Sequence, residues 1–193
     1  LGAVQVHLPS GAGQGAAAND TYFSVENVTG SNFGDGLTAS SAAFSNAFGA
    51  GGNDFIVGSS ANYDRLRGDE GNDRLEGLNT SNEDFWLQYD RGMDFVNRFR
   101  EGGADDDHVV IVKDEFGLST PSGNFILDAE FEAKNAFGFE PTFAGLERLV
   151  FETTSRILWA DKDGAGSAFD PVAIAYFAPF NAQDPAISNI FVF

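Results

Sequence analysis

Along the second half of the chain, apolar and polar residues alternate in short runs at 94–99, 108–112, 146–151, 156–159, 172–177 and 187–193, a period-2 pattern that predicts strands. One segment differs. Residues 127–136 place Leu127, Phe131 and Lys134 at helical spacing between Gly123 and Gly138, which predicts a short helix. The first half carries a different signal, because fifteen of the 23 Gly precede Met93 and the apolar residues recur singly between them. Such punctuation calls for a search for repeats before strands are assigned.

Two nine-residue units fit the form G-G-x-G-x-D-x-U-x, with U a large apolar residue and with Ala50 and Asp69 in place of the second glycine. Residues 49–57 contain Gly49, Gly51, Gly52, Asp54 and Ile56, and residues 68–76 contain Gly68, Glu70, Gly71, Asp73 and Leu75. Between them, 58–67 has one extra residue and puts Asp64 and Leu66 in the acidic and apolar positions. Degenerate copies supply Asp35 and Leu37, Asn46 and Phe48, and Asp84 and Trp86. If successive units fall on opposite sheets, like edges recur every second unit. Asp35, Asp54 and Asp73 then stack on one edge, and Asn46, Asp64 and Asp84 on the other. Leu37, Ile56 and Leu75 line one inner face, with Phe48, Leu66 and Trp86 opposite. Stacked carboxylates with glycine turns suit Ca²⁺, which takes six to eight oxygens and draws the balance from backbone carbonyls. The predicted metal residues are Asp35, Asp54, Asp73, Asp64, Asp84 and Asn46, with Gly49, Gly51, Gly52, Gly68, Glu70 and Gly71 shaping the turns.

Charge supports this and narrows the partners. Eleven Lys plus Arg against 29 Asp plus Glu give a net charge of −18, which argues against nucleic acid and anionic membranes. Residues 1–60 hold four acids and no Lys or Arg, whereas 61–120 hold fifteen acids. With 42% hydrophobic residues and 20 Phe there is material for a core. No window predicts a membrane span, the N-terminus has no basic start and apolar stretch of a cleaved signal peptide, and the absence of Cys excludes disulfides and thiolate metal sites. Because the chain opens at Leu1, it is read as one portion of a larger protein.

No catalytic residue is assigned. His7 and His108, the only histidines, lie in no catalytic motif. The run 161–166, Asp-Lys-Asp-Gly-Ala-Gly, reads as a hairpin turn, since the twelfth position of an EF-hand loop would be Val172 rather than Glu. Asp105, Asp106 and Asp107 read as a solvated turn.

These motifs resemble the RTX, or haemolysin-type calcium-binding, repeat proteins. The lead-in with Val25-Glu26-Asn27-Val28-Thr29-Gly30-Ser31, the segment from Asp94 to Ile111, the 149–166 hairpin and the apolar ending at 187–193 are each similar to that family's pattern. The resemblance implies an all-β fold in two parts. Residues 1–93 would form a lead-in strand and a calcium-loaded, right-handed parallel β-roll from about residue 20, and 94–193 an antiparallel β cap with one short helix. It further implies a secreted or cell-surface protein that leaves the cell unfolded through a type I secretion apparatus, reads its export signal from the C-terminal region, and folds outside on calcium. The alternatives are a calcium-stiffened adhesin or S-layer module that meets cell-surface or extracellular polysaccharide, and the appendage of an extracellular hydrolase.

Overall fold

The computed structural model describes residues 2–42, 44–60, 63–78, 80–100, 106–126, 128–134, 143, 146–166, 168–179, 185 and 189–193. The chain begins with an antiparallel hairpin of β1 (Val4–His7) and β2 (Ala12–Gly15), joined through a 3-10 turn at Leu8–Ser10. A run of short strands follows: β3 (Asn27–Thr29), β4 (Gly36–Thr38), β5 (Asn46–Phe48), β6 (Phe55–Val57), β7 (Asp64–Arg67), β8 (Arg74–Glu76), β9 (Glu83–Leu87), β10 (Asp94–Asn97) and β11 (His108–Ile111). They alternate between two sheets, and from β3 to β9 each pairs in parallel with the strand two places further on. The roll therefore continues through β10 and β11, beyond the expected end at residue 93.

The alternation of strands explains the core. Residues two apart share a face, so each U residue points between the sheets. Leu37, Ile56, Leu75 and Val96 line one inner face at no more than 1% exposure, and Ala47, Leu66, Phe85 and Val109 face them fully buried. Burial of each Leu, Ile or Phe is worth about 1.5–3 kcal/mol, and this thin double row is the roll's main apolar support. Phe48 and Trp86, expected inside, lie on the outer face instead. Phe48 is covered there by the Arg67 guanidinium, 4.2 Å from the ring centre.

The C-terminal half is α1 (Lys113–Phe116), β12 (Asn124–Phe125), a 3-10 turn at Asp128–Glu130, β13 (Phe131–Lys134), β14 (Leu149–Glu152), β15 (Ile157–Ala160), β16 (Val172–Phe177) and β17 (Ile190–Val192). It extends both sheets of the roll. β16 pairs in parallel with β10 and β17 with β11, while β15 runs antiparallel between β14 and β16. A chain of rings, Phe85, Phe99, Phe177 and Phe151, joins the two halves at centroid separations of 5.3–6.0 Å. The architecture is all-β.

The expected helix at 127–136 is absent where the chain is described. Residues 131–134 form β13, paired in parallel with β14, and Leu127, Asn135 and Ala136 lie outside the described residues. Three apolar-spaced positions cannot separate a short helix from a strand, and β14 offers a full ladder of hydrogen bonds where so short a helix is marginal. Of the expected terminal strand, residues 187 and 188 also lie outside the described set. Ile190 and Val192 are fully buried in the sheet.

Candidate metal centre

The turns that enter β4, β6, β8 and β10 form one edge of the roll. Each ends in an acid two residues before the U position, so its carboxylate points inward at the corner. Asp35, Asp54, Asp73 and Asp94 stack there at 4, 3, 1 and 7% exposure. A single hydrogen-bond chain runs down the column. The amide of Val4 donates to Asp35 Oδ1 (2.7 Å), that of Asp35 to Asp54 Oδ1 (2.7 Å), that of Asp54 to Asp73 Oδ1 (2.8 Å), and that of Asp73 to Asp94 Oδ1 (3.2 Å). Each rung is thereby locked to the next through an inner carboxylate oxygen.

The other oxygens are treated unequally. Asp35 Oδ2 accepts the Ser31 amide, but Asp54 Oδ2 and Asp73 Oδ2 are buried with no donor. Among the described residues no Lys or Arg pairs with any acid of this column; the ion pairs Arg67–Asp69, Arg74–Glu76 and Arg91–Glu70 lie outside it. Burial, reinforced by the neighbouring carboxylates, pushes Asp54 up to about 6 and Asp94 up to about 8, and burial raises Asp73 as well. A column of buried acids without cationic partners is expensive to ionise, so it must take up protons or a cation.

The turns around this column hold the predicted glycines. Gly49, Gly51 and Gly52 belong to the turn before Asp54, and Gly68 and Gly71 to the turn before Asp73. The two turns are tied by a parallel bridge between Gly51 and Glu70. Four of these positions, Gly49, Gly52, Gly68 and Gly71, admit no side chain. A Cβ at Gly68 would overlap the unpaired Asp73 Oδ2, and one at Gly71, whose φ is +141°, would overlap the Gly52 carbonyl oxygen. Gly71→Ala is accordingly expected to destabilise the protein by about 1–3 kcal/mol from backbone strain alone, read from the shift in its urea midpoint. Glu70 contributes only its backbone: the side chain reaches into solvent and pairs with Arg91 at 2.6 Å.

The opposite edge, formed by the turns into β5, β7, β9 and β11, departs from the predicted register. Asp64 lies in its inner column, but β7 and β9 pair Asp64 with Glu83 and Arg65 with Asp84, and β5 pairs Asn46 with Arg65. The inner column is Ser45, Asp64, Glu83 and Asp107, all fully buried. Asn46 and Asp84, expected to stack with Asp64, sit one residue out of step on the outer face, where Asp84 Oδ1 lies 3.3 Å from His108 Nδ1. A one-residue slip moves a whole set of side chains to the other face.

This edge is also furnished differently. Both oxygens of Asp64 are engaged, by the Ser45 hydroxyl and the Ser59 amide, each at 2.6 Å. The turns lack the glycine pattern of the first edge. Asp107 belongs to this buried column rather than to a solvated turn, and Asp105 lies outside the described residues. The 161–166 segment is a hairpin turn, as expected, with the Asp163 amide donating to Asp161 Oδ1 (3.1 Å).

The first edge is thus the only one that gathers its predicted acids and glycines together. Asp94 and Asp107 were missed, although both keep the acid-x-U spacing, with Val96 and Val109; neither follows a complete glycine turn. Among the described residues no three or more His, Cys, Asp or Glu side chains converge as a metal cluster, so a cation here would need carbonyl oxygens of the turns beside the stacked carboxylates. Fold and site together define an all-β, two-sheet parallel roll with a column of buried acids along each edge. Comparison with known proteins finds no matching family model, curated protein or solved structure.

Proposed function

We propose that the chain is a calcium-binding folding module of a secreted protein, with Ca²⁺ held along the column Asp35, Asp54, Asp73 and Asp94. The observation that carries this reading is the pair of buried, donorless oxygens on Asp54 and Asp73 in turns where glycine leaves room for nothing but backbone. A hard divalent cation satisfies what the column lacks: it neutralises adjacent carboxylates, accepts carbonyl oxygens to complete its shell, and tolerates irregular geometry. The remaining acids then need no proton.

The same arithmetic supports extracellular folding. A cation that binds only the folded chain stabilises it by RT ln(1 + [L]/Kd), so millimolar calcium outside a cell would favour the roll while scarce cytosolic calcium would leave it unfolded and fit for a type I exporter. Calorimetric titration tests the binding itself. We expect saturable calcium binding with more than one ion per chain and much weaker binding of magnesium, which demands tight octahedral geometry. Absence of calcium binding, or equal binding of the two ions, would overturn the proposal.

A further inference from the structure

The outer face of the sheet that holds β1, β4, β6 and β8 carries a cleft in which neither acidic column takes part. Strand pairing sets one row of side chains across this face in register: Gln14, Gln5, Gly36, Phe55, Arg74 and Phe95, on β2, β1, β4, β6, β8 and β10. Long or bulky side chains fill every place in the row but one. Neighbouring strands lie about 4.8 Å apart, so the empty place at Gly36 leaves about 10 Å between the backbones that carry Gln5 and Phe55. A cleft of about 550 Å³ opens there, lined by Gln5, His7, Gln14, Gly36, Thr38 and Phe55 among others. That volume lies within the range of small-molecule sites, about 300–1,000 Å³.

The backbone does not demand this glycine. Gly36 is absent from the glycines with positive φ, and a Cβ there would meet only Gln5, at 3.4 Å or more, an ordinary contact. What the missing side chain does is leave the cleft open. Phe55 is 43% exposed, and one face of its ring is covered by the Arg74 guanidinium, 5.1 Å from the ring centre. Because β8 and β4 flank β6 on opposite sides, the other face of the ring looks across Gly36 into the cleft. The polar groups around it have hydrogen-bonding capacity to spare. Among the described residues no hydrogen bond engages the side chains of Gln5, Gln14 or Thr38, and His7 Nδ1 accepts the Ser10 amide at 3.0 Å, which leaves Nε2–H as a donor. No Asp, Glu, Lys or Arg lines the cleft, and the net charge of −18 disfavours anions.

A bare aromatic face beside uncharged donors and acceptors suits a ligand that is apolar on one face and ringed by hydroxyls. We propose that this cleft binds a pyranose unit of a neutral oligosaccharide or polysaccharide, its C–H face against Phe55 and its hydroxyls on Gln5, Gln14 and Thr38. None of these side chains belongs to either acidic column, so a protein that folded without binding calcium would keep this site.

Nuclear magnetic resonance titration of the folded chain in millimolar calcium tests the assignment, with the methyl pyranosides of glucose, galactose, mannose and N-acetylglucosamine and with their soluble hexasaccharides. At least one sugar should give saturable shifts at the amides of Gln5, Gly36 and Phe55. Phe55→Ala, which removes the stacking face, and Gly36→Val, which fills the gap, should each weaken that binding about tenfold or more. Phe95→Ala strips the other side of Arg74 but lines no part of the cleft, and should leave the affinity unchanged. Tighter binding of a hexasaccharide than of its methyl glycoside would mark a polymer as the ligand and equal binding a terminal sugar, and either supports the site. Absence of saturable binding by every sugar, an affinity unmoved by Phe55→Ala and Gly36→Val, or tighter binding of the polyanion alginate would overturn the proposal. Should either variant lose the circular dichroism spectrum of the wild type, Gln14→Ala on the edge strand β2 replaces it, with a several-fold loss of affinity expected and no loss refuting the site.

Discussion

In a chelator the protein is expected to lose most of its strand signal by circular dichroism and to regain it cooperatively as calcium is raised to the millimolar range. The reason lies in the small core and large charge. The inner rows of the roll are single file, and a net charge of −18 opposes compaction. Four stacked acids enclose three gaps, and an ion in each at a hundredfold excess over its Kd would add about 2.7 kcal/mol, or about 8 kcal/mol together. That is comparable with the entire stability of an ordinary domain, about 5–15 kcal/mol. Removing the ions should therefore unfold the roll rather than soften it. Identical spectra in chelator and in calcium would refute the reading.

Asp73→Ala is expected to be among the two most damaging substitutions in the column. Asp73 lies between Asp54 and Asp94, so its loss takes a ligand from two gaps. It also strips the acceptor from the Asp54 amide, and a buried donor left unpaired costs about 1–3 kcal/mol on its own. Together with the disrupted charge balance, a loss of about 4 kcal/mol or more is expected in calcium, with at least one fewer ion counted by calorimetry. Asp54→Ala should behave alike. Asp84→Ala, which removes only the partly exposed contact with His108, should cost no more than about 1 kcal/mol and leave the ion count unchanged. Equal losses at Asp73 and Asp84 would mean that the column is misassigned.

The sequence carries the acid-x-U interval and its recurrence, and on that first edge nothing more is required. Side chains two apart in a strand share a face, and Asp35, Asp54 and Asp73 recur at 19-residue intervals, so their stacking and that of Leu37, Ile56 and Leu75 is implied by periodicity. The all-β class was legible for the same reason. On the second edge the chain offers two frames. Glu83-x-Phe85 and Asp84-x-Trp86 have identical spacing, as do Ser45-x-Ala47 and Asn46-x-Phe48, and local pattern alone favours the larger apolar side chains. The strand at 131–134 was hidden in the same way, because its pairing partner lies in a distant segment.

What the sequence by itself determined is thus the repeating unit, three of the four acids of the first edge, Asp35, Asp54 and Asp73, and the turns that only glycine can make. Tertiary structure decided which face of β5 and β9 points inward, because their ladders with β7 and β11 put Ser45, Asp64, Glu83 and Asp107 in one row and pack Ala47 and Phe85 against the opposite sheet. It also decided how each acid is satisfied, since local amides are joined by donors one full turn of the roll away, as Ser45 is for Asp64 and Glu83 for Asp107. Serine hydroxyls and amides reach Asp64, amides reach both oxygens of Asp107, and among the described residues no hydrogen-bond donor reaches Oδ2 of Asp54 or Asp73. Spacing along a chain places a carboxylate, but its protons and ions depend on what the fold brings to the other side of it.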